Sequence, residues 1–200
     1  MRRVTAPVGI LLAAGRGTRF GGHKLLHPLP DGTPLGVASA RALCAALDRV
    51  VAVVRADDAE LAAALRAAGC ETVVCSRAEE GMGASLACGV DATSDAAGWV
   101  IALADMPFIQ PATIAAVTAA LAQGASIAAP VLDGGRRGHP VGFAASWCEA
   151  LRALSGDRGA RELLHGHRDE LRLVPTVDPG CVADVDSPGD LAGACARSSP

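Results

Sequence analysis

The sequence predicts an α/β fold, a three-layer, Rossmann-like sandwich with a mostly parallel sheet, and three observations predict it. Short apolar runs of β type alternate with Ala- and Leu-rich helical stretches at least five times along the chain. The runs are continuous rather than alternating, as in Arg49–Val54 (RVVAVV), which is the pattern of strands buried on both faces. The first run, Val8–Leu12, opens directly into a glycine-rich turn. With 200 residues the chain suits one domain, 1–200, built on one core.

Taken in order, Val8–Leu12 is the first strand and the stretch to Lys24 its loop. Leu25–Leu29 is a short apolar piece before a PDGTP turn, and Pro34 suits the first turn of a helix carrying Leu35, Ala38, Leu43 and Leu47. Arg49–Val54 is the second strand. Asp57 or Asp58 can cap the next helix, which Gly69 ends. Glu71–Cys75 is a third strand, a helix begins near Ser85, and Gly98–Leu103 is a fourth strand. Pro111 starts a helix running to Gln123, followed by a fifth strand over Ser126–Pro130. Asp133–Phe143 reads as a loop-rich span, Ala144–Leu154 as a helix, and Leu171–Val177 as a late strand. Ser187-Pro188 begins a last helix, and the CARSSP tail is expected to fray.

Composition excludes several classes. Aromatic residues make up only 2% of the chain, with no Tyr, so stacking platforms for single-stranded nucleic acid are missing. A net charge of −3 leaves no basic footprint for a duplex. Any anionic ligand must therefore meet a local cluster of cations. The cysteines are scattered and odd in number, with no zinc-type spacing, so reduced thiols and a cytoplasmic location are expected. The N-terminus lacks the apolar segment of a secretory signal, and no run is long enough for a membrane span.

The loop from Ala13 to Lys24 carries the strongest chemical signal. Glycines let backbone N–H groups approach an anion, and Arg16, Arg19 and Lys24 add attraction for phosphate. The stretch thus reads as a triphosphate cradle at the C-terminal end of a central strand, or as a glycine-rich surface turn with solvated arginines. It is neither of two familiar phosphate loops. His23 separates Gly22 from Lys24 and Leu25 follows, against a Walker A loop; Phe20 stands where the dinucleotide fingerprint needs its third glycine.

Four further places pair a functional reading with a plain one. Asp105 follows the fourth strand directly, where open α/β sheets bind ligands, and Pro107 stiffens the turn behind it; it is a metal-ligand candidate or a turn residue. Ser85 is a nucleotide contact or part of an ordinary helix start. In DGGRRGHPVGF, Arg136 and Arg137 read as a solvated hairpin tip, while His139 is a phosphate contact or a merely hydrogen-bonded histidine. In SGDRGARELL, Arg158 and Arg161 flank a glycine-opened helix start that either faces an anion or is capped by Asp157. Asp184, Asp186 and Asp190 cluster near the end of the chain.

Together these motifs resemble the molybdenum-cofactor nucleotidyltransferases of the MobA-like family. Leu12, Ala13, Ala14, Gly15, Gly17, Arg19, Phe20, Gly21 and Lys24 match its LAAGxGxRFG…K signature. GMGAS (81–85) is similar to a GMSSSL-type segment, DMP (105–107) to the metal-binding turn, GHPV (138–141) to a motif near the second substrate, GDRGAR (156–161) to GDxGAR, and DVDSP to a DVDTP ending. His23 departs from the Asp common there, and Gly83 and Ala84 replace two serines. The resemblance implies a nucleotidyltransferase fold and transfer of CMP from CTP, since Ala14 stands where guanylyl-transferring relatives carry Gly. It implies Lys24, Arg19 and Asp105 as catalytic residues and Leu12, Ala13, Ala14, Gly15, Gly17, Lys24 and Ser85 around the nucleotide. It places His139 and Arg161 near the second substrate and Mg²⁺ on Asp105 and Asp186. The implied partners are CTP, a molybdopterin-type cofactor, and a recipient molybdoenzyme or delivery chaperone. Alternatives are transfer to a sugar or polyol phosphate, a cofactor-binding chaperone without turnover, and an NADP-dependent oxidoreductase meeting a 2′-phosphate at Arg55.

Overall fold

The computed structural model describes residues 6–15, 23–157, 159–187 and 189–190. Strands β1 (Val8–Leu12), β2 (Val50–Val54), β3 (Glu71–Val74), β4 (Gly98–Leu103), β5 (Ile127–Val131), β6 (Val141–Ala144) and β7 (Leu171–Pro175) form one seven-stranded sheet in the order β3-β2-β1-β4-β6-β5-β7. Every pairing is parallel except those of β6, which runs antiparallel between β4 and β5. β1 and β2 lie adjacent, while β4 returns to the other side of β1. That reversal opens a crevice at the carboxyl ends of β1 and β4.

Helices cover both faces. They are α1 (Leu35–Cys44), α2 (Ala59–Ala67), α3 (Met82–Asp91), α4 (Pro111–Ala122), α5 (Cys148–Arg152) and α6 (Arg161–Gly166). Side-chain alternation along the strands splits the core in two. Ile10, Val51, Val53, Trp99, Ile101 and Phe143 meet Leu86 and Val90 of α3, Leu151 of α5 and Leu164 of α6 on one side. Leu11, Ala52, Val54, Val100 and Ala102 meet Leu43 of α1, Leu61 and Leu65 of α2, and Ile114 of α4 on the other. Both faces of β1 and β2 are therefore buried, which is why their sequences carry no polar residue.

Three sequence expectations are corrected. The span read as a loop through Phe143 contains β6, whose register sets Trp99 against Phe143 and Ile127 against Phe143 on its two sides. Only residues 132–137 form the hairpin tip, closed by the Gly135 N–H to Leu132 and the Leu132 N–H to Arg136. The helix expected over Ala144–Leu154 is a tight turn, Ala145–Trp147, followed by the short α5. The late strand stops at Pro175 rather than Val177, where the chain turns to bury Asp178.

Candidate active site

The loops after β1, β2 and β4 all emerge at one edge of the sheet, and a cavity of about 780 Å³ lies there. Its wall includes Leu12, Ala14, Gly15, His23 and Lys24 from the β1 side, Arg55, Asp57 and Asp58 after β2, and Leu103 and Asp105 from β4. Gly81, Met82 and Ser85 at the start of α3, with Asp157, close it. The volume suits a small organic ligand.

Lys24 is the electrostatic centre. Its Nζ donates to Asp105 Oδ2 at 3.0 Å and to Asp186 Oδ1 at 3.0 Å. The lysine side chain is only 8% exposed, against 29% for Asp105 and 51% for Asp186, so the ammonium sits beneath the two carboxylates. Burial alone would lower the pKa of Lys24, but the hydrogen bonds and charges of Asp105 and Asp186 outweigh it and raise the pKa. Lys24 is held cationic.

Three segments deliver this triad. Lys24 begins a single helical turn, Lys24–Leu26, closed by the His27 N–H to its carbonyl and entered through His23 in the left-handed region (φ 35°). Asp105 follows β4, whose extension is fixed by the Ala104 N–H donating to the Leu12 carbonyl. The Val185 N–H donates to the Asp105 carbonyl at 3.0 Å, which brings Asp186 from the end of the chain to the same point. Of the clustered aspartates, Asp190 serves as a cap: its Oδ2 accepts from the backbone N–H groups of Asp186 and Ser187 and from the Ser187 hydroxyl. The Ser187 hydroxyl and those N–H groups hold its carboxyl below the usual range. Asp184 is exposed.

Ser85 lies in the first turns of α3 and lines the cavity, but its hydroxyl donates to the Gly81 carbonyl at 3.3 Å. Gly81 itself adopts φ +119°, and a Cβ there would strike Asp157 and the Gly156 backbone. The Gly83 N–H donates to the Gly156 carbonyl at 2.7 Å, so the segments 81–85 and 156–157 are stitched together at the rim. Ala13 does not reach the cavity: it is buried in the core beneath it, with its N–H bonded to Val53. Arg161 opens α6, is exposed, and does not line the cavity. Gly17, Arg19 and Arg158 fall outside the described residues.

His139 is partly buried, with its N–H donating to the Cys181 carbonyl and its Nδ1 enclosed without a partner. It stands outside the cavity wall, though the charge of Asp105 reaches it. Desolvation pushes its pKa below the ordinary 6.5, against the opposing pull of Asp105. Below its ordinary pKa the unfolded chain then binds the proton more readily than the folded one. We expect the stability tied to neutral His139 to be full above about pH 6.5 and to fall as the pH drops further. Urea unfolding from pH 7.5 to 5.5 should show a slope that His139→Gln flattens; an equal slope in the variant would contradict this.

On the far wall the sequence offered Arg55 as a 2′-phosphate contact and Asp57 or Asp58 as a helix cap, but gave no role to Glu79. The Arg55 guanidinium pairs with Asp57 through Nε (3.0 Å) and with Glu79 through Nη2 (3.1 Å), which ties the β2 loop to the turn before α3. A 2′-phosphate arriving at Arg55 would first meet these two carboxylates, which speaks against the dinucleotide reading. The acid residues at 57 and 79 were the available signal, but nothing local says that they meet. Among the described residues no group of three or more His, Cys, Asp or Glu side chains is placed to hold a metal, and no helix is long and apolar enough to cross a membrane.

Known proteins resemble this chain in sequence and fold. The MobA-like NTP transferase domain matches residues 9–171. The purine catabolism protein PucB of Bacillus subtilis (strain 168) is 32% identical over 192 residues, covering 90% of this chain and 92% of its own. The crystal structure of Rv0371c from Mycobacterium tuberculosis H37Rv superposes with a TM-score of 0.76 at 31% identity, covering 96% of this chain and 98% of that one. A second structure of Rv0371c, in complex with manganese, gives a TM-score of 0.74 at 30% identity over 95% and 97% of the two chains. A nucleotidyl transferase from Methanothermobacter thermautotroptrophicus shares the fold, with a TM-score of 0.78 at 24% identity over 96% and 97%. With its cavity at the crevice between β1 and β4, the chain belongs to the MobA-like NTP transferase family and is a nucleotidyltransferase.

Proposed function

We propose that the chain transfers CMP from CTP to the terminal phosphate of a molybdopterin-type cofactor, releasing pyrophosphate, with Mg²⁺ as the metal. The observation that carries this reading is the convergence of Lys24, Asp105 and Asp186 at the mouth of the β1–β4 crevice. One ammonium between two carboxylates leaves a net negative charge, which a divalent cation would reverse so that two anionic reactants can approach.

The donor set fits Mg²⁺. Two carboxylate oxygens already share one cation, and Mg²⁺ is commonly held by one or two carboxylates with phosphates and waters completing its shell. Asp105 and Asp186 would hold it. When bound, it supplies positive charge to the phosphate oxygens around Pα. The chain's own residues do the rest. Ala14 and Gly15 line the cavity wall together with Lys24, and the lysine stabilises the charge that develops on the leaving pyrophosphate. An oxygen of the acceptor phosphate attacks Pα, and the bond from Pα to the bridging oxygen breaks with its electron pair leaving on pyrophosphate. The attacking phosphate is already deprotonated near neutral pH, so no general base is needed.

Base choice rests on Ala14, which lines the cavity and is 6% exposed. Its methyl group narrows the space for a purine. A methyl in a tight pocket is worth about 10–200-fold in discrimination. We therefore expect Ala14→Gly to lower the ratio of kcat/KM for CTP over GTP by at least about tenfold; an unchanged ratio removes Ala14 from base selection. The reading as a whole is tested by pyrophosphate release across the four nucleoside triphosphates with a molybdopterin-type acceptor. Turnover with CTP that EDTA abolishes is expected. Turnover only with another triphosphate, or with a sugar phosphate in place of the pterin, would overturn it.

A further inference from the structure

We infer that Lys24 is a placeholder cation: it occupies the divalent-metal position between Asp105 and Asp186 until a nucleotide arrives, and leaves for the phosphates as the metal enters. The inference rests on the nucleotidyl-transfer reading and adds an order of events to it. Its basis is geometric. One nitrogen lies 3.0 Å from an oxygen of each carboxylate, so it stands in the region that a metal ion shared by the two would occupy. The ammonium is far more buried than either carboxylate, so it fills the site from beneath.

A divalent ion and this ammonium cannot hold that point together. Mg²⁺ needs its oxygens at about 2.1 Å, inside the distance at which the ammonium now stands, and two cations so close repel strongly. Metal binding therefore requires Lys24 to move. The backbone need not follow, because residue 24 is tied into its helical turn by the His27 N–H, and the Leu26 N–H donates to His23. Only the four-carbon stem swings. Lys24 and Gly15 line the same cavity, so triphosphate oxygens placed against Gly15 would share that cavity with the ammonium. Without a nucleotide the displaced lysine has no such anion to move to, and the free metal competes with it at a disadvantage. Metal and nucleotide are then positively coupled, each favouring the arrival of the other.

The test is Mn²⁺ binding, followed by electron paramagnetic resonance of the free ion, in wild type, Lys24→Met and Asp105→Asn. Without nucleotide, Lys24→Met should bind Mn²⁺ at least about tenfold more tightly than wild type, because its competitor is gone. Adding a non-hydrolysable CTP analogue should strengthen Mn²⁺ binding in wild type by a larger factor than in Lys24→Met. Equal or weaker Mn²⁺ binding by nucleotide-free Lys24→Met overturns the inference. If Asp105→Asn weakens Mn²⁺ binding in that same outcome, the metal site stands and the placeholder role alone fails. If Asp105→Asn leaves Mn²⁺ binding unchanged, the inference and the assignment of the carboxylates fall together. Should Lys24→Met be too unstable for titration, Lys24→Gln carries the same expectation. Thermal unfolding supplies a second readout, in which Mn²⁺ should raise the Tm of the lysine variant by more than that of wild type.

Discussion

Asp105→Ala is expected to lose turnover by at least about a hundredfold while remaining folded. Its carboxylate is partly exposed, and its side chain supports Lys24 rather than the core. The backbone contacts that hold its loop, from Ala104 to Leu12 and from Val185 to the Asp105 carbonyl, survive the substitution. Removing one preorganised electrostatic group from such a site costs on the order of 10²–10³ in rate. Steady-state pyrophosphate release, with circular dichroism as the folding control, measures it. Activity within threefold of wild type would remove Asp105 from the mechanism. Lys24→Ala should fall by a similar factor, since it leaves the phosphates without their nearest cation among the described residues.

Asp178→Ala is expected to be the most damaging change to stability. The carboxylate is 2% exposed and accepts from the Gln110 N–H at 2.8 Å, the Thr113 hydroxyl at 2.8 Å and the Gly180 N–H at 2.9 Å. One donor is Gln110, the N-cap residue of α4, and another is Thr113 in its first turn, where a negative charge also complements the helix dipole. Alanine removes the acceptor of the Gln110 and Gly180 N–H groups and leaves the Thr113 hydroxyl with Thr176 alone at 3.3 Å, a loss of about 3–5 kcal/mol. For a chain of this length that corresponds to a drop of roughly 10 °C in Tm. Asp178 also pins the start of the segment that carries Asp186 to Lys24, so catalysis should weaken alongside stability. Urea unfolding that shows a loss under about 1 kcal/mol would contradict this role.

The elements buried on both faces were legible because burial leaves its mark on every residue. Val8–Leu12 and Gly98–Leu103 were bounded correctly, and β2 differed from its expected start by one residue. β6 escaped because Pro140 and Gly142 look like loop residues. Gly142 is there for packing: a Cβ would come within 2.9 Å of Leu121 and 3.0 Å of Val117 on α4. The candidate site was legible as separate motifs: Lys24 and Asp105 stood out from local patterns, and Asp186 was chosen among three clustered aspartates through the family resemblance. Their meeting was implied only by the family resemblance, which put Asp105 and Asp186 on one metal; no local pattern shows it, because the Val185 N–H to Asp105 carbonyl contact joins distant parts of the chain. Asp178 was illegible for the same reason: its partners at 110 and 113 lie far away in sequence, and a lone Asp before a Pro-Gly turn gives no sign of burial. Arg161, a clear motif match, stands exposed on α6 outside the cavity wall.

The most direct test is a crystal grown with Mn²⁺ and a non-hydrolysable CTP analogue, read by anomalous scattering. One manganese peak should touch both Asp105 and Asp186, with the triphosphate against the β1 loop and the Lys24 ammonium on its oxygens. A triphosphate bound elsewhere, or a manganese peak away from both carboxylates, would contradict the account.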